Sequence, residues 1–148
     1  MSLAVSACGS TKAGGVAGNA VQLSVSEYVK TANAICSDAA TKSAAVPKPG
    51  DTAALAQWAA YLSKLLPIAN AEHDRLAHIS PPPADRAKVD GFISAIAGAN
   101  DSSERARQAA ASGSQNGFDS ALKTVGRFTA KATQVSRDYG LTQCAQTF

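Results

Sequence analysis

The chain has 148 residues, which is enough for one domain with its own hydrophobic core. Its formal net charge is +3, from 14 basic and 11 acidic residues. This small surplus argues against nucleic-acid binding, which needs a dense basic face. No segment approaches the roughly 18 consecutive apolar residues of a membrane-spanning helix.

The composition favours helices over strands. Hydrophobic residues make up 45% of the chain but aromatic residues only 5%, and alanine alone supplies about a fifth. Alanine has the best intrinsic helix propensity, and few runs of alternating β-branched residues could form strands. The composition therefore predicts an all-α domain.

The chain begins with a lipoprotein signature. Val5-Ser6-Ala7-Cys8 matches the lipobox, in which an aliphatic residue and two small residues precede a cysteine. The thiol of that cysteine accepts a diacylglycerol, and the small residues let the signal peptidase reach the bond before it. Two or three acyl chains would anchor the protein durably, whereas one would not. We therefore predict lipidation at Cys8 and an extracytoplasmic, membrane-anchored location; the alternative is an ordinary cysteine in a flexible tail.

The segments around the lipobox are interpreted as processing and tether sequences. Residues 1–7 are too short for a complete signal peptide and are interpreted as its remnant, with Met1-Ser2-Leu3 as candidates for vector-derived residues. A misassigned start is the alternative. Residues 8–23 hold the lipidation site and a small, polar, aperiodic stretch that predicts a flexible tether. Residues 24–148 are assigned to the folded domain.

The cysteine count fits this interpretation. Cys8, Cys36 and Cys144 are an odd number, which in an exported protein needs an explanation. If Cys8 carries lipid, Cys36 and Cys144 remain to form a disulfide that joins the first predicted helix to the end of the domain. Two buried free thiols, as in a cytosolic protein, are the alternative.

Four helices are predicted in chain order. The first begins at Ser24 with a capping-box spacing to Glu27 and ends before Pro47-Lys48-Pro49-Gly50. The second has Asp51 as its predicted N-cap. Its regular apolar stripe contains Pro67, which predicts a kink or a helix in two parts, and one charged member, Glu72.

The third helix is predicted to start near Pro83, with a candidate interruption at residues 98–103. After a loop at residues 112–117, the fourth helix begins at Phe118 and ends at Gly140, the expected left-handed residue. Short loops between helices of about 20 residues favour an up-down-up-down four-helix bundle.

With these elements placed, the chain resembles small secreted or lipid-anchored proteins of actinobacteria. The resemblance is carried by the lipobox at Cys8, by Ala34-Ile35-Cys36, by Leu76 with Pro81-Pro82, and above all by the closing motif Tyr139-Gly140-Leu141-Thr142-Gln143-Cys144. It covers residues 24–144 loosely and implies a helical two-cysteine domain in the cell envelope. It implies no activity.

Few side chains suggest chemistry. Glu72 on the apolar stripe is either a functional carboxylate in a cavity or a residue that reaches water where the helices diverge. Asp74 and His78 share a helix face near His73, but no third ligand is assured, so we predict no metal site and no cofactor. No nucleophile elbow or phosphate loop occurs.

Two further groups are candidates for binding. An apolar ligand pocket could be lined by Trp58, Leu62, Glu72, Phe92 and Phe128, although for Trp58 and Phe92 core packing is the favoured explanation. Lys123, Arg127 and Lys131 form a basic ridge that could contact anionic lipids or wall polymers, or could simply be solvated.

We therefore expect a non-enzymatic cell-envelope module that binds an unidentified protein, wall component or lipid. A carrier of a small apolar ligand in the bundle core is the second hypothesis. An enzyme that uses Glu72 and His73 is the third.

Overall fold

The computed structural model describes residues 23–147, whose helices pack together into one bundle. The four long helices are α1 (Val25–Ala44), α2 (Leu55–Ala77), α3 (Arg86–Ala111) and α4 (Gln115–Tyr139). A 3₁₀ turn, Pro83–Asp85, leads into α3, and a short helix α5 (Cys144–Thr147) closes the fold. The predicted four-helix bundle with one disulfide is confirmed. The predicted signal remnant, Cys8 and nearly all of the predicted tether lie outside the described residues.

The start of α1 follows its sequence signal. The Ser24 hydroxyl accepts a hydrogen bond from the Glu27 N–H at 3.3 Å, and the Glu27 carboxylate accepts one from the Ser24 N–H at 2.9 Å. These two bonds satisfy amide groups that have no partner inside the helix. The predicted apolar stripe is buried against the other helices through Tyr28, Ala32 and Ile35.

Helix α2 begins later than predicted and is not divided. Asp51 is exposed in a turn, and the N-cap is Ala54, whose N–H donates to the Gln57 side chain at 3.1 Å. The prediction that Asp51 is the N-cap is therefore wrong: alanine has no side-chain acceptor, so no side chain caps the amides of the first turn, and Gln57 binds only the N–H of Ala54. Pro67 lies on the exposed side of a continuous helix, so its missing N–H interrupts one backbone bond without ending α2.

Helix α3 is likewise continuous through residues 98–103, where an interruption was a candidate. Ser102 is buried there, and its hydroxyl donates to the Gly98 carbonyl at 2.7 Å, so this polar residue is satisfied within the helix. Helix α4 starts at Gln115, three residues earlier than predicted, because the Ser114 hydroxyl caps it by accepting from the Gly117 N–H.

The hydrophobic core has two parts, one toward each end of the bundle. The larger part contains Tyr28, Leu76, Phe92 and Ile96, together with the disulfide. The smaller part is built from the N-terminal half of α2, the C-terminal end of α3 and the start of α4; its buried members are Ala59, Leu62, Leu66, Ala106, Ala110 and Phe118. The middle of the bundle lies between these two clusters.

The C-terminal segment packs between α1 and α4. Gly140 ends α4 in the left-handed conformation, as predicted, with φ at 80°, and Leu141 follows as a buried residue. Asn33 on α1 accepts a hydrogen bond from the Gln143 N–H at 2.9 Å. The Cys36–Cys144 disulfide then joins α5 to α1, and α5 contacts both α1 and α4.

Candidate functional site

A cavity of about 280 Å³ lies in the middle of the bundle, where the two core clusters leave space. All five helices contribute to its wall. The contribution of α5 is Thr147, because α5 packs against both α1 and α4. The lining residues are Ser43, Tyr61, Leu65, Ala69, Glu72, Ala99, Asn100, Ser103, Val125, Thr129 and Thr147.

Glu72 is the charged member of this wall. Its residue surface is only 4% exposed, and its Oε1 atom is buried without a hydrogen-bond partner among the described residues. Burial disfavours the ionised form and raises the pKa of Glu72 to about 7, while the positive charge of Arg75 opposes this shift. A carboxyl group that is half ionised near neutral pH therefore borders the cavity.

Arg75 does not neutralise Glu72 by direct contact. Its guanidinium Nη1 lies 2.5 Å from Oδ2 of Asp38 on α1, and Lys42 Nζ approaches the same oxygen at 2.8 Å. The Arg75 charge is thus already paired on the surface between α1 and α2. Only its longer-range field reaches Glu72, so among residues 23–147 the buried carboxylate has no ionic partner of its own.

Several polar side chains in the wall have already used their hydrogen-bond donors. The Asn100 amide donates to the Ala69 carbonyl and to Asn70 Oδ1, both at 3.1 Å. The Thr129 and Thr147 hydroxyls donate to carbonyls of their own helices, at 3.2 and 3.0 Å. What these groups can still offer to a ligand is acceptor oxygen.

The structure does not gather the five residues of the predicted ligand pocket around one space. Trp58 and Leu62 belong to the smaller core cluster, where Trp58 packs against Tyr61 and Phe118, whereas Phe92 is buried in the larger one. Phe128 packs its ring against the backbone of Gly98 on α3. Of the five, Glu72 alone is in the wall of the central cavity.

The neighbouring histidines point elsewhere. His73 Nδ1 lies 3.2 Å from the Asp74 carboxylate on the exposed side of α2, and His78 Nδ1 lies 2.6 Å from the Asp74 carbonyl oxygen. Neither histidine lines the cavity. Across residues 23–147, no three side chains of His, Cys, Asp or Glu converge as a metal site.

Of the residues predicted to contact a membrane, those on α4 are among the described residues and Cys8 is not. Lys123, Arg127 and Lys131 are all exposed on α4, where anionic groups can reach them; their role stays a prediction. Cys8 lies outside the described residues. None of the described helices is long and apolar enough to cross a bilayer.

A wider depression of about 570 Å³ runs along the outer face of α4, from Gly126 to Asp138. All of its lining residues belong to that single helix, and it is open to solvent. It lacks the enclosure by several elements that small-molecule sites usually have. The central cavity is therefore the better candidate site.

No family model, no curated protein and no solved structure matches the chain. The interpretation of the site consequently depends on its own geometry and chemistry.

Sequence reasoning identified Glu72 but not the other polar residues of the cavity. Asn100 and Ser103 lie in a polar stretch of α3 that resembled a helix interruption, and Thr147 lies beyond the closing cysteine motif. A signal for Asn100 and Ser103 was present, since polar residues on the inward face of a continuous helix indicate a polar interior site. No local pattern could indicate that Thr147 returns to the middle of the bundle.

Proposed function

We propose that the protein is a lipid-anchored module of the cell envelope that binds a small ligand in its central cavity and does not catalyse a reaction. The observation that carries this proposal is the buried, unpartnered Oε1 of Glu72 in the wall of that cavity. Burying a polar atom without a partner costs free energy, so such an atom at a cavity indicates a binding role.

The envelope location is supported by the cysteines. A disulfide such as Cys36–Cys144 persists mainly in oxidising compartments outside the cytoplasm. Its formation leaves Cys8 as the odd cysteine, within a sequence that fits lipid attachment. The resemblance to actinobacterial lipid-anchored proteins agrees with this location.

A binding role is favoured over catalysis by the position of His73. General acid–base catalysis needs a second group within hydrogen-bond reach of the reacting atoms. His73 and Glu72 are consecutive residues on one helix and therefore face different directions. His73 pairs with Asp74 outside the cavity, so within the described part of the chain the Tyr61 phenol is the one other ionisable side chain in the cavity wall beside Glu72.

The proposal is tested by native mass spectrometry of the protein isolated from the envelope of the cells that produce it. We expect extra mass, beyond the acyl chains, that is released when the protein is denatured. Ala69→Leu should abolish this mass because the larger side chain fills the cavity. Ala71→Leu, at an exposed position on the same helix, is the matched control and should retain it.

Two results would overturn the proposal. One is a wild-type mass that contains only lipidated, oxidised protein. The other is extra mass that Ala69→Leu retains in full, since a ligand bound elsewhere would not depend on the cavity.

A further inference from the structure

We propose that the ligand of the central cavity is a small organic cation, an ammonium group with an apolar body, whose charge is held by Glu72. This inference rests on the proposed binding function and specifies the chemistry of the ligand.

The charge distribution around the cavity favours a cation. Glu72 is the only charged residue in the wall among the described residues, and no lysine, arginine or histidine lines it. The nearest interacting cation, Arg75, is held by Asp38 on the surface. A buried carboxylate is stable when it is paired and hydrogen-bonded, and a bound ammonium would provide both.

The hydrogen-bonding groups of the wall also favour a ligand that donates. The donors of Asn100, Thr129 and Thr147 are already engaged, so these residues present oxygen acceptors. Ser43, Ser103 and Tyr61 add hydroxyls that can accept as well as donate. An ammonium has three donors and no acceptor, which matches this wall better than a carboxylate or a carbonyl compound does.

The rest of the wall indicates an organic ligand rather than a metal ion. Leu65, Ala69, Ala99 and Val125 offer apolar surface, and the volume of about 280 Å³ is far larger than a bare ion needs. Ca²⁺ takes six to eight oxygen ligands and usually several carboxylates, whereas this wall has a single carboxylate. A short ammonium compound with an aliphatic or aromatic body would occupy both the polar and the apolar parts.

Binding should depend on pH through Glu72. The wall residues contributed by α1, α3, α4 and α5 are uncharged, and α2 adds only the Tyr61 phenol and the field of Arg75. Because the pKa of Glu72 is about 7, the carboxylate is mostly protonated at pH 6 and mostly ionised at pH 8. An alkylammonium remains protonated across this range. Its affinity should therefore be about tenfold higher at pH 8 than at pH 6.

The experiment compares two probes of nearly equal size, benzylammonium chloride and benzyl alcohol, by amide chemical-shift titration of the folded protein. We expect benzylammonium to bind, with shifts centred on the cavity residues, and benzyl alcohol to bind at least about tenfold more weakly. Glu72→Gln keeps the shape of the side chain and removes its charge, and it should reduce benzylammonium affinity by a similar factor. It should also remove the pH dependence.

The results distinguish this inference from the proposed function. One set of results would show that the cavity is a binding site but that the cation inference is wrong. In that case both probes bind equally, Glu72→Gln changes the affinity of neither probe, and Ala69→Leu abolishes the binding of both. If neither probe binds, the cation inference is also wrong, and the mass-spectrometric test decides the binding function separately. Tighter binding of benzylammonium at pH 6 than at pH 8 would contradict the role of the carboxylate.

Discussion

The ring of Phe128 on α4 occupies the space in which a Cβ atom on Gly98 of α3 would lie. A Cβ built at Gly98 would be 2.5 Å from the nearest ring carbon, closer than two carbon atoms can pack. The absence of a side chain at Gly98 therefore lets α3 and α4 approach each other beside the central cavity, which both helices also line.

Gly98→Ala should therefore destabilise the protein, by about 1 to 3 kcal/mol, because the Phe128 ring must move. Gly91→Ala in the same helix is the matched control. No atom lies within 4 Å of a Cβ at Gly91, so alanine should stabilise α3 there by about 0.5 to 1 kcal/mol. Urea unfolding of both variants measures the difference; equal effects would show that Phe128 adapts without cost.

Loss of the disulfide should lower stability substantially. The bridge joins residues 108 positions apart, and closing a loop of this length restricts the unfolded chain by up to about 4.7 kcal/mol. We expect Cys36→Ala/Cys144→Ala to lose about 2 to 4 kcal/mol in urea unfolding. Both cysteines are fully buried, so reductant alone will reach the bridge slowly, and the double variant is the cleaner measurement. An unchanged midpoint would contradict the contribution of the bridge.

Glu72 should make the protein less stable as the pH rises. Its pKa is about 7 in the folded protein and near the ordinary 4.5 in the unfolded chain, so the folded state binds more protons between these values. The contribution of Glu72 to the free energy of unfolding is fully present below about pH 4.5 and is lost as the pH rises through 7. The total loss is on the order of 3 kcal/mol.

Unfolding of wild type and Glu72→Gln between pH 4 and pH 8 isolates this contribution. We expect the variant to gain stability relative to wild type as the pH increases, whereas Asp101→Asn, at an exposed position on α3, should follow the wild-type curve. A constant difference between wild type and Glu72→Gln would show that Glu72 is not destabilised by burial.

The capping box of α1 should contribute measurably to stability. Ser24→Ala removes the hydroxyl that accepts from the Glu27 N–H, which should cost about 1 kcal/mol. Ser26→Ala, two residues later and exposed, should change stability by less than about 0.5 kcal/mol. Thermal unfolding of the two variants is the measurement. Equal losses of stability in both would show that the Ser24 hydroxyl does not stabilise α1.

The lipid anchor can be tested in cells that carry the full-length gene. Cys8→Ala removes the thiol that would carry the diacylglycerol, so the protein should leave the membrane fraction. Cys36→Ala, which retains Cys8, is the control and should keep any folded protein in that fraction. Retention of the Cys8→Ala protein at the membrane would mean that another feature anchors it.

The local elements of this protein follow from short stretches of its sequence. The capping box at Ser24, the left-handed Gly140 and the apolar stripes of the helices are short-range features, and each depends on residues a few positions apart. Helix boundaries were less predictable: α2 begins after Ala54, which has no capping side chain, and not after Asp51, which has one. The inward position of Glu72 also followed from periodicity alone.

The surroundings of Glu72, by contrast, depend on how the helices pack together. The cavity is formed by side chains of five helices and depends on how far the two core clusters extend from each end of the bundle. Thr147 reaches it because the disulfide and the Gly140 turn direct the C-terminal segment between α1 and α4. These contacts join residues far apart in the chain, 31 positions for Asn100 and Ala69 and 108 for Cys36 and Cys144. Packing of side chains, rather than any local pattern, determines them.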